Sequence, residues 1–141
     1  MYHKVILAGY LGRDPEMRYT PDGTPVTNFS VATTESWTGQ DGQQQERTIW
    51  WRVAAWRRLA ETCNQYLSKG RAVLVEGRIV PDENGNPRVF TRSDGTPGAS
   101  YEVTAVTVKF LGGRDDTSGY EAPRDEDVPA EGEMDEDSIP F

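Results

Sequence analysis

Arg47-Thr48-Ile49-Trp50-Trp51-Arg52-Val53-Ala54-Ala55-Trp56 is the stretch on which the reading of this chain turns. Successive side chains of a β-strand point to opposite faces. As a strand, the stretch puts Ile49, Trp51, Val53 and Ala55 on one unbroken apolar face, suited to a core or a subunit interface. Thr48, Trp50, Arg52, Ala54 and Trp56 fall on the other. Two indoles flanking a guanidinium make a poor core layer, because a buried charge needs a partner.

Outward from this strand, short β-branched and aromatic runs recur between turn signals. Lys4–Leu11 reads as a first strand, in which Gly9 invites a bend or bulge. After the turn Thr20-Pro21-Asp22-Gly23 comes a second, Val26–Ser36, then the polar loop 39–45 with Asp41-Gly42, then the strand 47–56. Leu59, Cys63, Tyr66 and Leu67 recur at helical spacing, predicting a helix over 58–67 that stops before Gly70. Arg71–Val80 and Ser100–Phe110 are the last long strands. Between them, 81–99 is an excursion carrying Asn84-Gly85 and Asp94-Gly95, with a short hairpin centred on Arg88-Val89-Phe90-Thr91. Three strands, one helix and two strands is the order of an OB-fold: an all-β, five-stranded Greek-key barrel with one short helix.

The net charge of −8 conceals two unlike segments. Residues 1–114 hold 14 of the 15 Lys+Arg and 12 of the 23 Asp+Glu, a net of +2, whereas 115–141 hold Arg124 and 11 acids, a net of −10. Within 115–136 there is one aromatic, Tyr120, and one β-branched aliphatic, Val128. Such a segment buries too little apolar area to offset its ordering entropy, and disorder is expected. The expected organisation is a barrel over 1–113, a disordered acidic linker over 114–135 and a partner-binding tip over 136–141.

The open face of the central strand fits stacking chemistry. Every base offers a π-face to Trp50 or Trp56, and Arg52 supplies phosphate contact or cation–π stacking. Trp37, at the edge of a polar loop, fits the same role, as does Phe90 between Arg88 and Arg92. Arg57, Arg58 and Arg78 add positive charge to a groove that would track a sugar–phosphate backbone. Enzymatic readings fail by inventory. The one histidine is His3 near the start of the sequence, and the one cysteine, Cys63, lies on an apolar helix face. No cofactor or metal site is expected. That single cysteine and the lack of a signal-like or membrane-spanning run point to a reducing, cytoplasmic setting.

Asp135-Glu136-Asp137-Ser138-Ile139-Pro140-Phe141 closes the sequence with an apolar tip behind acids. Glu136, Asp137, Ser138, Ile139, Pro140 and Phe141 together fit a basic pocket with a hydrophobic floor. Lys4–Glu16, Ala32–Trp37, Trp50–Val53, Leu59–Glu61, Tyr66–Gly70, Val75–Arg78 and this tip closely resemble bacterial single-stranded DNA-binding proteins. The resemblance implies an OB-fold homotetramer that protects single strands in replication, recombination and repair. It further implies base stacking at Trp37, Trp50 and Trp56, and a tip that engages replication and repair proteins. Trp51, at a position the resemblance puts near the subunit interface, departs from the polar or histidine residue of familiar members, and 81–99 is longer than the usual hairpin. From the residues alone, an RNA-binding OB module and a protein-binding adaptor stay open, since stacking does not read the 2′-hydroxyl and clustered tryptophans also suit protein hot spots.

Overall fold

A computed structural model describes residues 1–112. The expected acidic linker and the tip at 136–141 lie outside the described residues. Met1–Leu111 forms one compact unit. Its elements are β1 (Val5–Leu11), β2 (Glu16–Tyr19), β3 (Pro25–Thr38), β4 (Gln44–Trp56), α1 (Arg58–Tyr66), β5 (Ala72–Ile79), β6 (Val89–Thr91), β7 (Pro97–Ala99) and β8 (Tyr101–Leu111).

The ladders run β1-β5-β8-β4-β3, and β1 pairs back onto β3 to close a five-stranded barrel. β4 and β8 pair in parallel from Trp51↔Tyr101 to Ala54↔Thr104, and the other contacts are antiparallel. This is the OB topology. The alternation reading of β4 holds. Val53 and Ala55 are buried with Phe29, Val31, Val73, Val75 and Val103 in one core, and Trp51 packs against it half-buried. The face offered by the sequence as core or subunit interface is therefore the lining of this barrel. Among the apolar side chains left outside are Ile6 and Tyr10 on β1, with half-covered Ala8 and Leu74 beside them.

Closure rests on a glycine. On its other edge β1 joins β3 at Tyr10↔Ala32 and Leu11↔Val31 while Tyr10 still faces Ala72 of β5, and Gly9 sits just before that junction. A Cβ on Gly9 would lie 2.1 Å from the Ala32 carbonyl oxygen, so the backbones meet only because nothing projects there.

The helix plugs the barrel beside the C-terminal end of β4. Ala60 and Cys63 are buried, and the buried Thr27 hydroxyl donates to the Ala60 carbonyl at 2.7 Å. Burial pushes the Cys63 thiol up to about 11, which keeps it a packed, protonated side chain at neutral pH. Arg57 makes the strand-to-helix corner at φ 62, and its N–H donates to the Pro25 carbonyl at 2.9 Å. Leu67, expected in the helix, is instead its extended C-cap, with its N–H on the Cys63 carbonyl.

Two further departures concern short strands. β2 pairs with the start of β3 from Glu16↔Asn28 to Tyr19↔Pro25; four mostly exposed residues have no apolar alternation to announce them. In the excursion, 88–91 is an arm and not the centre of the hairpin. β6 pairs with β7 through Phe90↔Gly98, and the turn is Asp94-Gly95, where Gly95 has φ 85. Hydrogen bonds from Thr96 hold the Asp94 carboxyl below the usual carboxylate range.

Candidate nucleic-acid interface

Cross-strand register sets out the outer face of the barrel row by row. Trp50 lies level with Ala32 and Tyr10, Arg52 with Ser30 and Glu102, and Ala54 with Asn28 and Thr104. Trp56 is level with Val26 and Arg18. Arg78 pairs with Thr104, so it shares the Ala54 row two strands over, about 10 Å away at the usual strand spacing. Trp50 is 54% exposed and Trp56 is 43% exposed; neither indole is core.

The β6–β7 hairpin brings a third ring to this face. Phe90 lies with its ring 5.2 Å from the Arg52 guanidinium carbon and 5.9 Å from that of Arg92. Gly98 makes the approach possible: a Cβ there would meet the Phe90 ring at 2.9 Å and the Arg92 guanidinium at 3.0 Å. Arg88 is held by the Pro81 carbonyl at 3.3 Å and by Glu102 at 3.6 Å. Three adjoining grooves meet at Arg52, which lines each of them. Phe90 and Arg88 each line two, whereas Trp50 and Trp56 line one apiece.

The expected site residues thus fall into three groups. Trp50, Arg52, Trp56, Arg88, Phe90 and Arg92 come together around the outer face of β4. Arg78 shares that face at a distance, and Arg57 and Arg58 are exposed at the corner just beyond Trp56. Trp37 does not join them. It pairs with Gln45, in register with the Trp51 side of the ribbon, so its ring is on the opposite face from Trp50. There it lies 5.3 Å from the Arg47 guanidinium carbon, which is also paired to Glu35 at 2.7 Å. That ion pair holds Arg47 above its ordinary pKa.

Residues 2–111 match the Single-strand binding protein family. The chain belongs to the single-strand binding protein family. Single-stranded DNA-binding proteins of Neisseria meningitidis serogroups A and B are each 48% identical to it over 117 residues. Those alignments cover 83% of this chain and 64% of each relative. Single-stranded DNA-binding protein 1 of Chlorobaculum tepidum is 40% identical over 120 residues, covering 83% of this chain and 69% of its own. Among solved structures, a Plasmodium falciparum SSB complex with ssDNA superposes with TM-score 0.66 at 24% identity, covering 79% of this chain and 97% of that one. A deletion mutant of the single-stranded DNA binding protein from Thermus aquaticus gives TM-score 0.61 at 30% identity, covering 79% and 51%.

Gly12 and Glu102 are among the groove residues that sequence reasoning missed. Gly12 sits under Trp50: a Cβ there would come within 2.4 Å of the indole, so the bare glycine sets how the ring lies. Nothing in the sequence signals that contact. Glu102 places a carboxylate among the arginines, and its even-numbered position on β8, beside inward Val103, was a readable signal for it.

Proposed function

We propose that the barrel binds single-stranded DNA without sequence specificity on the outer face of β4. The observation that carries this reading is Arg52, exposed on one strand face between two exposed indoles and 5.2 Å from the Phe90 ring. Stacked rings accept any unpaired base because every base has a π-face, whereas a duplex hides its base faces. Titrating intrinsic fluorescence with oligo(dT) tests it, since base stacking quenches indole emission. Trp50→Ala is expected to weaken binding by about 1–3 kcal/mol with an unchanged urea midpoint. An affinity equal to the parent's would remove Trp50 from the site, and no quenching at any length would overturn the reading.

The same reading places the protein at the nucleoid in replication, recombination and repair, with 1–113 as its DNA-binding part. A homotetramer belongs to it as well. What supports this is the outer apolar surface of Ile6, Ala8, Tyr10 and Leu74 on a small barrel, which a second copy would cover. Light scattering at micromolar concentration is expected to give about four times the 15.8 kDa chain mass, and a monomer would rule the tetramer out.

Partner recruitment is assigned to Glu136, Asp137, Ser138, Ile139, Pro140 and Phe141, where acids precede an apolar tip. Deleting Phe141 should leave DNA affinity unchanged while weakening capture of replication and repair proteins by about thirtyfold, the loss of one aromatic anchor. Undiminished capture would reduce the tip to a solubility element.

A further inference from the structure

Glu102 is the second residue of β8, beside the inward Val103, and its side chain is 27% exposed. Its backbone is fixed twice. In the parallel ladder it lies level with Arg52 of β4, and its carbonyl accepts the Val80 N–H at 2.9 Å. The residue is therefore carried about 5 Å from Arg52, the spacing of neighbouring strands, with its side chain on the same outer face.

Two cations of this face are held differently. Arg52 sets its guanidinium against the Phe90 ring and stays exposed. Arg88 instead has its Nε 3.6 Å from the Glu102 carboxylate, and donates to the Pro81 carbonyl at 3.3 Å. Arg88 lines two of the grooves, and Glu102 lines both. A half-exposed ion pair longer than a hydrogen bond contributes little to stability. The backbone bond from Val80 already ties β8 to the chain just past β5. The barrel thus has little need of an acid here, and in a groove that admits a polyanion the acid repels the ligand.

We infer that Glu102 is a resident stand-in for phosphate: it occupies Arg88 in the free protein, and a single strand gains Arg88 only by displacing it. The inference rests on the proposed DNA reading and deepens it. Arg52 is open to phosphate from the start, whereas engagement of Arg88 exchanges one anion for another and adds little to affinity. The barrel is thereby held below the affinity that its arginines could reach, and a bound strand leaves sooner.

The test measures oligo(dT) affinity across a range of salt for the full chain, Glu102→Gln, Arg88→Gln and the double variant, with thermal melting as the folding control. Glu102→Gln keeps the size of the side chain and removes its charge. It is expected to tighten binding about two- to fivefold at low salt. The slope of log affinity against log salt should steepen by about 0.7, one further phosphate neutralised on a single strand. In the Arg88→Gln background that added slope disappears, because no captured cation is left to release. Weaker binding by Glu102→Gln overturns the inference and makes the carboxylate a brace that presents Arg88. Parental affinity and slope also overturn it, leaving Glu102 a solvated bystander. So does tighter binding with the parent's slope, or an added slope that survives in the Arg88→Gln background, since the carboxylate would then act without holding Arg88. A parent that fails to bind oligo(dT) overturns the DNA reading, and this inference with it.

Discussion

Arg52→Glu should lower single-strand affinity by about 3 kcal/mol and flatten its dependence on salt. Three effects add at this position. A charge-assisted contact to phosphate is lost, worth about 1.5–3 kcal/mol. The cation over Phe90 goes with it, another 0.5–2 kcal/mol or so, and the new carboxylate lies level with Glu102 on the neighbouring strand, where like charges repel the phosphate chain together. Each phosphate contact removed from a single strand lowers the slope of log affinity against log salt by about 0.7. Arg52 is exposed on the outer face, so the folded barrel should tolerate the change, and the melting temperature is the control. Affinity within about threefold of the parent, with an unchanged salt slope, would show that the grooves meet at Arg52 without the ligand following them.

Gly9→Val should cost about 4 kcal/mol of folding stability, a large share of the 5–15 kcal/mol typical of a domain. The new side chain has nowhere to go, because even its first carbon falls 2.1 Å from the Ala32 carbonyl oxygen and 3.0 Å from the Val31 side chain. Relief requires separating β1 from β3, which gives up the pairs Tyr10↔Ala32 and Leu11↔Val31 that close the barrel. A urea titration followed by far-UV circular dichroism reads the loss directly. An unchanged midpoint would mean that β1 and β3 do not approach this closely at Gly9.

The long strands and the helix were legible because each has a period. β4 alternates over ten residues, and Leu59 and Cys63 recur on one helix face, so burial follows from spacing alone. β2 was not legible: Glu16, Met17, Arg18 and Tyr19 owe their strand to the edge of β3 and not to any pattern of their own. The hairpin was half read. Asp94-Gly95 signalled its turn, but nothing local says that Phe90 will fold back over Arg52, a contact between residues 38 apart set by the bare surface of Gly98. The tryptophans show the same division. Alternation separated Trp50 and Trp56 from Trp51, yet Trp37 was grouped with the outer rings although the odd numbering of its ladder partner, Gln45, puts it on the other side. Parity across a hairpin depends on loop length, and the loop was the least determined part of that region.

The order of the ladders also dictates how the chain must be born. β1 is made first, but its partners on β5 come between 62 residues later (Tyr10 to Ala72) and 72 residues later (Val5 to Gly77). At about 5–20 residues per second of synthesis, Leu7 waits roughly 3 to 14 seconds for Val75, its partner on β5. β8 then fills the place between β5 and β4, so a nascent chain stopped before Tyr101 holds two unpaired strand edges. Such edges recruit other chains. Crowded polysomes, where many unfinished copies lie side by side, are accordingly the setting in which this barrel is most exposed to misassembly, and a ribosome stalled between α1 and β8 is the most hazardous point in its synthesis.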